Sequence, residues 1–183
     1  MLARRLPGVL PSLSDDEALE VTAIHSIAGI LAENVGLVRQ RPFRWPHHSV
    51  SDAGLVGGGD TPRPGEVSLA HRGVLFLDEL PEFRRSAVDG LRQPLEDGMI
   101  RIARAKPAAT FPARPLLLTA MNPCPCGWFG FPRYRVCTCT LDRVRSYRAR
   151  VSGPILDRID LQLKVDPVDL GELLTPSAPG EST

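Results

Sequence analysis

The chain has 183 residues, a formal net charge of +1 at pH 7, 43% hydrophobic and 23% charged residues. That is length enough for one buried core, and the composition is ordinary for a globular domain. A membrane span is excluded, since no apolar run approaches the ~20 residues needed. No signal peptide is read in MLARRLPGVLPSL, which has no long apolar stretch and no small-residue cleavage site, so the expected compartment is cytoplasmic.

Residues 1–6 read as part of a helix that lacks its beginning. SDDEALEVTAIHSIAGIL, from Ser14, predicts a helix with Ser14 as N-cap and Glu17 completing a capping box. Leu19, Ile24, Ile27, Ile30 and Leu31 supply its apolar face. His25 reads as a surface or packed histidine, not a ligand. RPFRWPHHSVSDAGLVGGGDTPRPGE, from Arg41, predicts a long Gly/Pro-rich loop, the kind usually functional or mobile. Gly57, Gly58 and Gly59 suggest a phosphate cradle, but no Gly-Lys-Ser/Thr follows and a P-loop is rejected. His47 and His48 are adjacent, a poor geometry for chelating one metal. They read as packing or hydrogen-bonding groups.

EVSLAHRG predicts a short helix, and Val74–Leu77 a strand. RRSAVDGLRQPLEDG reads as a helix ending near Gly98. MIRIARA alternates like a strand and pairs with ATFPA as a hairpin. PLLLTAMN is a second apolar strand ending in Asn122. LDRVRSYRARVSGPILDRID is a helix, a break at Gly153–Pro154, then a short helix. LQLKV is a third strand, and the tail TPSAPGEST, residues 175–183, has a disordered composition. This alternation predicts an α/β fold with a parallel sheet and right-handed crossovers. Ligands bind beyond the carboxyl ends of such strands.

Charge is unevenly placed. Between Gly98 and Arg150 stand ten basic residues and one acid, Asp142. Such a segment can meet phosphates. Compositional bias is the rival account, because 20 of the 22 basic residues are arginine.

Strand Val74–Leu77 runs straight into Asp78 and Glu79. An ionised carboxylate out of water is costly unless paired or bound to a cation. At the tip of a rigid buried strand, Asp78 can hold Mg²⁺, and Glu79 can polarise a water attacking the γ-phosphate of a nucleotide. The alternative is a solvated strand end before the turn at Pro81. The four cysteines, Cys124, Cys126, Cys137 and Cys139, form two C-x-C pairs that suit tetrahedral Zn²⁺. Disulfides are disfavoured in the cytosol, and four reduced thiols in an ordinary loop remain the alternative. Trp128 to Phe131 and the basic Arg133 and Arg135 lie between the pairs. They can stack on bases of single-stranded DNA, or simply pack the knuckle.

RPFRWPHHSVSDAGLVGGG, PRPGEVSLAHRGVLFLDELPEF, LRQPLEDGMIRIARA, TAMNPCPCG and SGPILDRIDL, in that order, carry a closer resemblance. The chain resembles the AAA+ ATPases of the magnesium-chelatase-like ComM/YifB family, from MLARRLPG to about Leu174. The resemblance implies a P-loop NTPase-like AAA+ core over residues 1–174 with a β-hairpin insertion, and the candidate zinc knuckle read from the cysteine spacing, residues 124–139, falls within it. It implies ATP and Mg²⁺ as cofactors, with Asp78 and Glu79 as the Walker B metal ligand and catalytic base. Asn122 takes the place of the residue that orients the attacking water or contacts the γ-phosphate. Arg158 takes that of the arginine finger, which acts on a neighbouring subunit's nucleotide and so implies a hexameric ring. The hairpin takes the place of one that points toward a central pore, which makes Arg101 and Arg104 candidates for DNA phosphate contacts.

The family's glycine-rich phosphate loop should end just before Met1. It is absent here, as are an N-terminal Lon-like domain and a C-terminal helical lid. The chain is therefore expected to be a truncated core with negligible ATP hydrolysis by itself, from a parent that remodels DNA. Two rivals are a magnesium-chelatase subunit acting on a porphyrin through partners, and a non-catalytic module that binds DNA or joins rings.

Overall fold

The structure, a computed structural model, describes residues 2–34, 36–59, 61–102 and 108–166. The first element is a 3₁₀ helix, Leu2–Gly8, with no buried residue. Ser14 then starts α1 (Asp15–Ile27). Its hydroxyl accepts from the Glu17 N–H at 3.2 Å, and its own N–H donates to the Glu17 carboxylate at 3.2 Å, completing the capping box. The helix stops at Ile27, four residues before Leu31, because Gly29 adopts a left-handed φ of 71° and turns the chain. The face it buries is Ala18, Val21 and Ile24, whereas Leu19, Ile27 and Ile30 are exposed. Of the residues expected on the apolar face, only Ile24 is in the core. His25 packs inward, its Nε2 3.1 Å from the Leu69 carbonyl oxygen.

The stretch expected to be loop carries structure. It holds β1 (Phe43–Arg44), α2 (Asp52–Val56), and the two-residue strands β2 (Gly57–Gly58) and β3 (Arg63–Pro64), which pair antiparallel. The three glycines serve this turn and do not open a helix. Strand β1 is invisible to alternation because only two residues pair before Trp45 and Pro46. Phe43 and Trp45 place their rings 6.2 and 5.8 Å from that of Phe76. The incoming chain runs so close to Gly73 that a Cβ there would meet the Pro42 backbone. The Val74 N–H donates to the Pro42 carbonyl at 2.7 Å.

After α3 (Glu66–Leu69) comes β4 (Val74–Leu77), buried on both faces as a central parallel strand requires. The helix expected up to Gly98 is two, α4 (Arg85–Asp89) and α5 (Arg92–Asp97). Pro94 explains the split, since its ring crowds the carbonyl of Gly90 and it donates no N–H. Strands β5 (Met99–Ile102) and β6 (Ala109–Pro112) form the expected hairpin, with Ile100 opposite Phe111 and Arg101 opposite Thr110. Residues 103–107 lie outside the described residues.

Strand β7 (Leu116–Thr119), α6 (Leu141–Arg148) and α7 (Gly153–Leu156) complete the described elements. The main sheet is parallel, in the order β1-β4-β7. LQLKV is not a strand. Leu161, Leu163 and Val165 are 80%, 85% and 77% exposed, and the outer edge of β7 has no partner among the described residues. An extended segment becomes a strand only by pairing, so the third strand of the sheet is β1 instead. The core joins Leu75 and Leu77 of β4 to Leu55, Leu91, Val151 and Ile155. This is the α/β core expected, a parallel sheet flanked by helices. The tail 175–183 lies outside the described residues. No described helix is long and apolar enough to cross a membrane.

Candidate active site and cysteine cluster

The four buried residues of β4 end at Leu77, and the ladder to β7 closes just beyond. The Ala120 N–H donates to the Leu77 carbonyl at 3.0 Å, and the Leu80 N–H to the Ala120 carbonyl at 2.9 Å. Asp78 and Glu79 therefore stand on a support fixed from both sides. Glu79 is left-handed, with φ 54° and ψ 45°. For a residue with a Cβ this costs about 1–2 kcal/mol. Strain of this kind persists where the surroundings impose it, often at functional sites.

The turn aims both carboxylates into a cavity of about 290 Å³ lined by Trp45, Pro46, His47, His48, Asp78 and Glu79. The His48 Nδ1 lies 3.5 Å from a Glu79 carboxylate oxygen. Asp78 accepts a hydrogen bond from the Glu79 N–H at 3.0 Å. His48 stacks on His47 at 4.0 Å between ring centroids, and meets the Phe83 ring edge-on. His47 thus hydrogen-bonds Ser49, its Nδ1 2.8 Å from the hydroxyl, and both rings pack, as expected, but the charged group nearest His48 is Glu79 of the acid pair. That contact had no trace in the sequence beyond the motif RPFRWPHHS, because it spans 31 residues of chain.

Among the described residues no arginine or lysine pairs with Asp78 or Glu79. Other acids of the chain do have such partners: Arg44 with Glu66, Arg72 with Glu20 and Arg150 with Glu82. Two oxygen donors on a rigid strand end without an internal cation fit Mg²⁺, a hard ion that takes oxygen ligands and retains waters. The 183 residues contain no loop of the form Gly-x-x-x-x-Gly-Lys-Ser/Thr, so the cradle for the phosphates is not among them.

Asn122 lies two residues past Ala120, exposed at the neighbouring strand tip. It opens into a different cavity of about 660 Å³, shared with Leu80, Leu118, Ile159 and Leu163. Burial pushes the Tyr147 phenol up, and the carboxylates of Glu82 and Glu79 add to this, while a hydrogen bond from the Asn122 backbone opposes them. Arg158 is turned to its own chain: it pairs with Glu96 of α5 and donates to the Pro154 carbonyl at 3.0 Å. Glu96 is a partner that sequence reasoning did not foresee. Arg101 is exposed on the hairpin, and Arg104 lies outside the described residues. Arg133 and Arg135 are exposed. The Arg135 guanidinium lies 5.9 Å from the Trp128 ring centre, and that of Arg148 5.3 Å from Phe129. These aromatics are already covered by cations of the chain itself.

The four cysteines converge, with all four sulfurs within 4.8 Å of one another and none in a disulfide. Cys124 is 3.4 Å from Cys126 and 3.7 Å from Cys137, and Cys126 is 3.5 Å from Cys137. Four thiolates around Zn²⁺ at Zn–S ~2.3 Å stand about 3.8 Å apart. The Trp128 and Thr138 N–H groups pull the Cys126 thiol down to about 5. The Cys139 N–H favours the Cys137 thiolate, but burial and the sulfurs of Cys126 and Cys124 push Cys137 up to about 12. Sulfurs this close do not ionise together unless a cation balances them. The donor set therefore fits the metal.

A family model described as magnesium chelatase, subunit ChlI, matches residues 1–173. An uncharacterized protein of Mycobacterium tuberculosis is 52% identical over 100% of this chain and 36% of its own length. The uncharacterized protein YifB of Escherichia coli is 50% identical over 100% of this chain and 35% of its own. The competence protein ComM of Haemophilus influenzae is 48% identical, again over 100% and 35%. The chain thus spans about a third of the length of the curated relatives it matches. With a family match over residues 1–173 and about half its residues shared with these relatives, the chain belongs to the magnesium-chelatase-like ComM/YifB family.

Proposed function

We propose that this chain forms part of an AAA+ ATPase that works as a hexameric ring on single-stranded or branched DNA in the cytoplasm. The observation that carries the reading is the acid pair Asp78–Glu79, held by a left-handed turn at the end of a fully buried parallel strand and paired with no arginine or lysine among the described residues. In this reading Asp78 holds Mg²⁺ and Glu79 accepts the proton of the attacking water. Asn122, on the adjacent strand tip, orients that water. Arg158 exchanges Glu96 for the nucleotide of a neighbouring subunit. Mg²⁺ supplies neutralisation of phosphate charge, and the fixed strand supplies the geometry that phosphoryl transfer demands. Arg101, Arg104, Arg133 and Arg135 meet DNA phosphates, and Cys124, Cys126, Cys137 and Cys139 hold Zn²⁺.

The test joins this chain behind the preceding segment of the Escherichia coli relative and follows phosphate release. Turnover that Glu79→Gln lowers at least about 100-fold, with ATP binding kept, is the expected result for the loss of a general base. Equal turnover in the two proteins overturns it. The 183-residue chain by itself is expected to release no phosphate, and release abolished by Glu79→Gln overturns that expectation. The lack of a phosphate loop within these residues favours one second reading, a DNA-binding module without turnover. Salt-dependent DNA binding without nucleotide binding in the joined protein would select it.

A further inference from the structure

We propose that the metal held by the four cysteines sets the position of Asn122, by closing a ring of contacts through α6. The inference rests on the Zn²⁺ reading above and is independent of ATP turnover.

Strand β7 makes its last pairing contacts at Ala120. Cys124 is the next fully buried residue. Met121, Asn122 and Pro123 therefore form a three-residue span between two fixed points. What fixes the far end is slight. The Cys124 carbonyl accepts from the Gly127 N–H at 2.9 Å, and its sulfur from the Phe129 N–H at 3.3 Å. A thiol is a small apolar group and a weak acceptor, so it anchors little by itself.

The second pair of cysteines leads directly into α6. Cys139 is followed by Thr140, whose hydroxyl accepts from the Arg143 N–H at 3.3 Å and caps that helix. One and two turns on, Val144 and Tyr147 are buried, and the next residue reaches back. The Arg148 Nε donates to the Pro123 carbonyl at 3.1 Å. The path runs from Asn122 to Cys124, across the metal to Cys139, along α6 and back to Pro123. It is a closed circuit whose only non-polypeptide link is the ion. Binding displaces thiol protons and joins the two halves with four strong bonds. Without it, the contacts of Cys137 with Cys124 at 3.7 Å and with Cys126 at 3.5 Å are between thiols, which are weak donors and acceptors.

The experiment uses the 183-residue chain, metal analysis and amide exchange by NMR. A zinc-to-protein ratio near one with four protected thiols is expected, as is a thiolate-to-metal charge-transfer band after Co²⁺ exchange. Removing the metal with a chelator is expected to speed exchange of the Asn122 amide and the α6 amides by about tenfold or more, with β4 unchanged. Restoring Zn²⁺ reverses it. Cys137→His keeps the metal and the protection, as a Cys₃His site would, whereas Cys137→Ser loses both. Arg148→Ala keeps zinc and loosens the same turn. A ratio near zero with four free thiols overturns the site itself. Bound zinc whose removal leaves Asn122 exchange unchanged overturns the positioning role and leaves the metal site standing. Chelation of the wild-type chain supplies the answer should Cys137→Ser fail to fold.

Discussion

Glu79 offers a test of the site that needs no substrate. Its backbone is left-handed, at φ 54° and ψ 45°. Replacing Glu79 by Ala or by Gly removes the same carboxylate and the same 3.5 Å contact with His48. The two variants therefore differ only in the backbone. Ala retains the left-handed cost of about 1–2 kcal/mol. Gly escapes it but loses about 0.5–1 kcal/mol more entropy on folding. Glu79→Gly is thus expected to be more stable than Glu79→Ala by about 0.5–1 kcal/mol. For a domain of this size, that is about 1–4 °C in Tm, by calorimetry or by denaturant midpoint. Glu79→Val should be the least stable of the three, because a β-branched residue fits this region worst. A Gly variant equal to or below the Ala variant would refute the strained turn, and with it the claim that the acid pair is aimed by the backbone.

His71 is buried, and burial holds its imidazole below the ordinary 6.5 despite the hydrogen bond to Glu20. Its Nδ1 accepts the Arg114 N–H at 3.1 Å, which leaves the proton on Nε2, 3.0 Å from Glu20. Glu20 is itself held below its ordinary 4.5, chiefly by Arg72, so it does not require a charged His71. Below about 6.5 the unfolded chain binds more protons than the folded one. Stability should therefore be full above that value and decline as pH falls, with a further loss below 4.5 as Glu20 protonates. Denaturant midpoints from pH 8 to pH 4 check this, and His71→Gln should flatten the upper part of the slope. Arg133→Ala and Arg135→Ala should each weaken single-stranded DNA binding uniformly across sequences and cut the salt slope by about 1. Fluorescence anisotropy at several salt concentrations measures both. Glu96→Gln frees Arg158 from its ion pair, costs no more than about 1 kcal/mol of stability, and should raise the reactivity of Arg158 toward phenylglyoxal. Unchanged labelling would mean that the pair does not hold Arg158 in solution.

The parts of the fold governed by local rules were legible in the residues. Ser14 and Glu17 are a cap that depends on four residues only. Val74–Leu77 is apolar on both faces because it is central, and Met99–Ile102 alternates because the hairpin has one buried side. The parts decided by distant partners were not legible. Phe43–Arg44 is a strand only because Val74 and Leu75 lie beside it. Leu161–Val165 has strand chemistry, but it pairs with no described strand. Ile30 looks like core by spacing, yet Gly29 ends the helix before it, and Ile27, the last helical residue, is exposed. Asp78 and Glu79 stood out by position, since carboxylates rarely follow four buried residues. Their approach to His48 depends on a tertiary contact, and so does the pairing of Arg158 with Glu96.

Among the described residues nothing pairs with the outer edge of β7, which leaves a row of amide and carbonyl groups near apolar Leu161 and Leu163. Such a margin recruits any extended peptide that can add to it. A purified preparation of these 183 residues should consequently gain mass with concentration, and a short β-forming peptide that docks along Leu116–Thr119 should keep it monomeric.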